Sequence, residues 1–150
     1  MSQGTASVVI NCPPDDVWAA IADVTRIGDW SPECVAGRWI GGATAAVVGA
    51  RFEGDNVVMV AGRTVKKWTT TSAISACEPG RLFEFVADGH TTWRHELQAE
   101  GDNTRVTESF SYEPKGLQGF YYNTLLHRPR SMTKGMDRTL LTMKHKLEAA

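Results

Sequence analysis

The stretch KWTTTSAISACEPGRLFEFVADGHTTWRHELQAEGDNTRVTESFSY, residues 67–112, alternates in polarity between clusters of turn-forming residues and reads as consecutive antiparallel strands. Glu100-Gly101-Asp102-Asn103 suits a two-residue hairpin loop, with Gly at the first central position as a type II′ turn requires. Pairing Glu100 with Asn103 sets Leu97 opposite Val106, His95 opposite Glu108 and Trp93 opposite Phe110, all on one face. Asp88-Gly89-His90 fits a three-residue loop, which sets Phe85 opposite Trp93 and Phe83 opposite His95. Cys77-Glu78-Pro79-Gly80 fits a four-residue connection that places Ile74 near Phe83 and Ser72 near Phe85. One face then carries Trp68, Thr70, Ser72, Phe83, Phe85, Trp93, His95 and Glu108, a mixture suited to a lined pocket rather than a dry core. A one-residue slip would turn the whole set to the other side.

Outward from this block, residues 5–11 contain the β-branched run Ser7-Val8-Val9-Ile10 and read as a first strand. Pro13-Pro14-Asp15-Asp16 opens a helix whose packed stripe is Val17, Ala20 and Ile21, with Trp18 beside it. Residues 23–29 form a second short helical or turn segment, and Trp30-Ser31-Pro32-Glu33-Cys34 is irregular because Pro32 disfavours helix at Ser31. Residues 35–41, 51–60 and 66–77 complete the strands, with a connection bounded by Gly41-Gly42 and Gly49 that is a loop or partly helical. A three-residue turn Ala61-Gly62-Arg63 puts Asn56 opposite Trp68 and Phe52 opposite Ser72 on the pocket side. Residues 116–128 read as an aromatic helical segment that Pro129 ends or kinks. From Ser131, Met132, Met136, Leu140, Met143 and Leu147 form one helix face, with Gly135 on or beside it. Gly there lowers helix stability by about 1 kcal/mol relative to Ala and leaves room for a ligand or for close sheet contact.

The chain of 150 residues is expected to form a single domain over 1–150, large enough to bury roughly 68–70% of its unfolded surface. Cys12, Cys34 and Cys77 are odd in number and lie outside any CxxC pattern, as in a protein with reduced thiols. A formal net charge of −1 without a basic tract disfavours nucleic acid. Neither a signal-like amino terminus nor a long apolar run is present, so a cytoplasmic protein without integral membrane association is expected, as monomer or homodimer.

The order of strand, two short helices, six strands and long helix, together with PPDDVW (13–18), WSPE (30–33), TWR (92–94) and TRVTE (104–108), resembles the polyketide cyclase/dehydrase branch of the START-like, or SRPBCC, superfamily. The resemblance covers nearly the whole chain. It implies an α+β helix-grip fold, in which a seven-stranded curved antiparallel sheet wraps around the carboxy-terminal helix and two short helices between the first two strands close one end. It also implies binding of hydrophobic molecules between sheet and helix, while fold alone does not choose among the carriers, receptors and cyclases that share it.

His95 and Glu108 are the sharpest chemical feature. Opposed on an apolar face, they form either a structural pair that satisfies two semi-buried groups or an acid/base pair for enolisation, dehydration or aldol cyclisation. Trp30, Trp39, Phe52, Trp68, Phe83, Phe85, Trp93 and Phe110 line an apolar cavity or pack as core, with Trp30 near the expected mouth. Tyr121, Leu125, Met132 and Met136 supply the helix-side wall. Asn56, Thr70 and Ser72 orient a ligand carbonyl or hydroxyl, or hold a buried water. Arg94 and Glu96 read as a solvated pair on the opposite face. His90, His127 and His145 lack metal-site spacing and read as surface residues, Cys34 as a small buried residue, and no glycine run has the context of a nucleotide loop.

Neither metal nor organic cofactor is implied. The leading expectation is a binding or carrier protein for a small hydrophobic, partly oxygenated molecule of polyketide, lipid or isoprenoid type. The alternatives are a cofactor-independent cyclase or dehydratase using His95 and Glu108, and a toxin-like or chaperone-associated interaction protein whose interior is filled.

Overall fold

The computed structural model describes residues 2–112 and 128–149. In chain order the elements are β1 (Ser2–Ile10), α1 (Pro14–Ala22), a 3-10 turn (Val24–Asp29), β2 (Cys34–Ile40), β3 (Arg51–Val60), β4 (Arg63–Glu78), β5 (Leu82–Ala87), β6 (Thr91–Glu100), β7 (Asn103–Tyr112) and a long helix, α2 (Arg128–Glu148). The seven strands form one antiparallel sheet in the order β1-β7-β6-β5-β4-β3-β2. Each strand from β2 onward pairs with its successor, and β1 returns to close against β7. Sheet, two short helices and gripping long helix are the α+β helix-grip arrangement the sequence order implied.

Parity along the strands follows from the turns. Glu100 pairs with Asn103 across Gly101, whose φ is +62°, and His95 faces Glu108 while Trp93 faces Phe110. Phe83 faces His95 and Phe85 faces Trp93 across the three-residue loop 88–90. Two turns differ from expectation. Between β3 and β4 the loop is the two-residue Ala61-Gly62, both at positive φ, and a bulge after Val58 takes up the extra residue, so Asn56 still meets Trp68 and Phe52 still meets Ser72. Between β4 and β5 the strand runs on through Glu78, which pairs with Leu82, and a bulge between Ile74 and Ala76 follows. Ile74 therefore faces Phe85 rather than Phe83, and Ser72 faces Ala87 rather than Phe85. The displacement is two residues, one full side-chain period, so every residue keeps its face.

Pro14 begins α1 and Asp15 and Asp16 occupy its first turn, where the helix dipole favours them. Val17, Ala20 and Ile21 are buried, and Trp18 Nε1 donates to the Leu82 carbonyl at 2.9 Å, fastening α1 to β5. The α2 helix begins at Arg128, before the expected Ser131, and Pro129 sits in its first turn, where the missing N–H removes no helical bond. Met136, Leu140 and Met143 are buried against the sheet, and Leu147 packs against that core. The far end of α2 is tied to β1. Lys144 Nζ donates to the Val9 carbonyl at 2.7 Å, and the Asn11 N–H donates to Glu148 Oε2 at 2.8 Å. These ties set the buried stripe of α2 over the aromatic face of the sheet. The expected helical segment 116–128 lies, but for its last residue, outside the described residues.

Candidate functional site

Sheet and helix do not meet everywhere. Between them lies a cavity of about 260 Å³, walled by Phe52, Phe83, Phe85, Trp68 and Trp93 from the sheet, by Gly135, Met136, Thr139 and Met143 from α2, and by Ile21, Val24, Ile27 and Trp30 at one end. Gly135 is open: a Cβ built on it meets no atom within 4 Å. The helix thus carries a missing side chain where the cavity needs room.

Trp30 is held at the end wall by close backbone packing beneath it. A Cβ at Gly28 would strike the Val35 carbonyl and one at Gly37 the Val24 carbonyl, so the 3-10 turn lies directly on β2. Ser31 Oγ accepts from the N–H groups of Glu33 (3.3 Å) and Cys34 (3.0 Å), which holds the irregular segment around Pro32. Trp30 is buried, with the Arg26 guanidinium 4.8 Å from its ring centroid.

His95 Nε2 and Glu108 Oε2 lie 3.0 Å apart at the cavity wall, with the residues 7% and 6% exposed. Their other polar atoms, His95 Nδ1 and Glu108 Oε1, are buried and have no hydrogen-bond partner among the described residues. A buried polar atom without a partner is destabilising by about 1–3 kcal/mol, and native structures hold few of them. Phe83 lies beside the imidazole, its ring 6.3 Å from His95, with Phe85 5.8 Å beyond it. The pair is thus joined by one hydrogen bond at the cavity wall, with its two other polar atoms enclosed.

Of the expected lining residues, Trp30, Phe52, Asn56, Trp68, Thr70, Ser72, Phe83, Phe85, Trp93, His95, Glu108 and Met136 all border this cavity. Trp39 and Phe110 do not. Trp39 stands behind Phe52, edge-on at 6.0 Å, and Phe110 is buried behind Trp93 at 5.5 Å and against Gly4, where a Cβ would lie 2.7 Å from its ring. Trp39 lies on the edge strand β2, beyond the cavity's rim, while Phe110, between the cavity-lining Glu108 and Tyr112 on β7, is packed away against Trp93 and Gly4. Tyr121 and Leu125 lie outside the described residues, as does the side chain of Met132. Asn56 is also changed in role: its Nδ2 donates to the Gly54 carbonyl (3.1 Å) and Thr70 Oγ1 (3.2 Å), so its donors serve the wall itself.

The sequence reading missed His90, Thr91, Tyr112, Thr139 and Cys34, which also line the cavity. His90, expected at the surface, is half-buried and borders the cavity. Asp88 and Gly89 both take positive φ, at +51° and +74°, and His90 packs edge-on to Tyr112 at 5.8 Å with Nδ1 2.7 Å from Thr91 Oγ1. Tyr112 was legible, since continuing the alternation from Glu108 through Phe110 reaches it. Burial pushes the Cys34 thiol up to about 11, partly offset by backbone hydrogen bonding at Ala36, so it is an inert wall atom. Arg94 lies outside the cavity, as expected, but bridges Glu84 (2.8 Å) as well as Glu96 (2.7 Å). Among the described residues no group of three or more His, Cys, Asp or Glu could hold a metal ion.

This chain matches a family model described as polyketide cyclase/dehydrase and lipid transport over residues 1–148. The chain belongs to that family. A polyketide-cyclase-like protein of Corynebacterium glutamicum, solved by solution NMR, is similar at 30% identity and TM-score 0.67, covering 97% of this chain and 91% of that one. A crystal structure from Chromobacterium violaceum shares the fold at 15% identity and TM-score 0.74, with 99% of both chains covered. A protein from the dynemicin biosynthetic locus shares it at 14% identity and TM-score 0.67, covering 99% of this chain and 48% of that one. Comparison with curated proteins gives no match. Membership in the polyketide cyclase/dehydrase and lipid transport family supports a ligand-binding or cyclase role for the cavity. No helix among the described residues is long and apolar enough to cross a membrane.

Proposed function

We propose that the protein binds and carries a small hydrophobic molecule with an oxygenated end, held between sheet and α2. The observation that carries this reading is the cavity between sheet and α2, walled mainly by aromatic and aliphatic side chains with the His95–Glu108 pair and the hydroxyls of Thr70, Ser72 and Thr139 on its lining. Apolar walls supply affinity, and the few polar groups on the lining fix the ligand's orientation. A volume of about 260 Å³ lies just under the usual range of about 300–1,000 Å³ for ligand sites, which favours a compact ring system or short chain over a long acyl chain. A ligand that binds only the folded state raises its melting temperature. Native mass spectrometry and a thermal-shift screen with polyketide, fatty-acid and isoprenoid panels test this, and a flat response across all three overturns it.

A second reading, a cyclase or dehydratase, draws on the same pair. Its 3.0 Å contact lets a proton pass between imidazole and carboxyl, so the pair can take the proton α to a substrate carbonyl and return it to a departing hydroxyl as water. His95→Gln keeps a donor for Glu108 while removing the relay. Turnover lost with ligand binding retained supports catalysis, and unchanged turnover ends it.

A further inference from the structure

The β3–β4 hairpin extends past its neighbours. Beyond Asn56, β3 has no further register partner on β2, and β4 pairs with β5 only from Ser72 onward. The stretch between is a two-stranded ribbon, an arrangement marginal on its own in water. Its tip exposes Met59 (56%), Val60 (60%) and Val65 (60%). Such a tip is an association hazard unless it has a use. The same tip carries Arg63, Lys66 and Lys67, all exposed, and the sequence from Asn56 to Trp68 contains no Asp or Glu.

We propose that this hairpin tip docks the protein on an anionic lipid bilayer. Met59, Val60 and Val65 enter the acyl boundary while Arg63, level with Val60, and Lys66 and Lys67, farther from the apex, reach the anionic headgroups, their aliphatic stems lying along the apolar surface. The charge disfavours a second copy as occupant, because two identical cationic tips repel. Nucleic acid would leave the three apolar side chains without a partner. The ribbon is also continuous with the cavity wall: Asn56, Trp68 and Thr70 line the cavity from its base, and Lys66 Nζ stands 5.1 Å from the Trp68 ring centroid. A bilayer held at the tip therefore lies at one end of the strands that form the ligand site.

The test is co-sedimentation of the full chain with phosphatidylcholine vesicles, with and without phosphatidylglycerol, across a salt series. Binding is expected on the phosphatidylglycerol vesicles alone, and it weakens with salt. Arg63→Gln with Lys67→Gln weakens it about 25-fold, or about fivefold per charge. Met59→Ser with Val60→Ser also weakens it, with the melting temperature of both variants unchanged because all four side chains are exposed. Absence of binding to phosphatidylglycerol vesicles overturns the proposal. So does wild-type binding by both variants, or an apolar variant that changes only the oligomeric state in gel filtration. The cavity reading is measured with soluble ligands and fails or stands separately.

Discussion

Gly135 separates stability from function. It lies inside α2, its missing side chain faces the cavity, and a Cβ there meets nothing within 4 Å. Gly in a helix interior is less favourable than Ala by about 0.8–1.0 kcal/mol, so Gly135→Ala is stabilising by about that amount. For a chain of 150 residues the unfolding entropy is about 0.3 kcal/mol/K, which converts the gain to a rise of about 3 °C in Tm. Gly135→Leu adds four carbon atoms. At roughly the 30 Å³ share of a water molecule each, they take up some 120 Å³, close to half of the 260 Å³ cavity. A ligand at a hundredfold excess over its Kd stabilises the folded state by about 2.7 kcal/mol, about 9 °C here, and that shift disappears in Gly135→Leu. Differential scanning fluorimetry with and without a ligand from the screen reads both quantities. A lower Tm for Gly135→Ala, or an undiminished ligand shift in Gly135→Leu, refutes the open position assigned to Gly135.

Three further outcomes follow from the geometry. Glu108→Leu orphans His95 Nε2 in an apolar wall and lowers stability by about 3 kcal/mol, roughly 9 °C; the double variant His95→Phe/Glu108→Leu recovers most of this and shifts selectivity from oxygenated to hydrocarbon ligands, which calorimetric melting and the ligand panels check. The Glu148 carboxyl is held below its ordinary value by the hydrogen bond from Lys144 and then by the Asn11 N–H. A depressed folded value gives stability that is present above the unfolded carboxylate pKa of about 4.3 and is lost as pH falls through the folded value, so Glu148→Gln should be less stable than wild type near neutrality and equal to it at the acid end of a pH–Tm series. Cys34, pushed up to about 11 from 9.0, holds about a hundredfold less thiolate than an ordinary thiol at pH 8; iodoacetamide labelling followed by mass spectrometry should find it slow, and slower still with the cavity occupied.

The fold was legible wherever a glycine-marked turn fixed strand parity. Gly101 and Gly89 placed His95 against Glu108 and Phe83 against His95 from sequence alone, because a period of two leaves one register consistent with each turn. The β4–β5 turn runs over residues 79–81 rather than 77–80, which shifts the pairing by three residues, and the bulge beside Ser75, marked by no Gly or Pro, takes one back, so Ile74 and Ser72 lie one period along β5 without changing their face. Alternation reports which face a residue takes but neither how far across the sheet the cavity reaches, which misplaced Trp39, nor which side chains on that face are packed away, which misplaced Phe110 between the lining residues Glu108 and Tyr112. His90 was hidden for a different one: its direction depends on Asp88 as well as Gly89 adopting positive φ, and Asp is only an occasional occupant of that region.

Three features of this interior oppose stability and converge on one place. A glycine interrupts the buried stripe of α2, a cavity of about 260 Å³ is left where larger side chains would pack, and two polar atoms are buried without partners among the described residues. Each is unfavourable by roughly 1 kcal/mol or more, and each is removable by a single conservative substitution. An interior that served packing alone would be more stable with all three corrected. Their coincidence between the aromatic wall and α2 supports the proposal that the space holds a guest whose apolar body replaces the missing side chains. On this argument the most stable single variants of the protein are those that fill the cavity, and they are also the ones that lose the ligand.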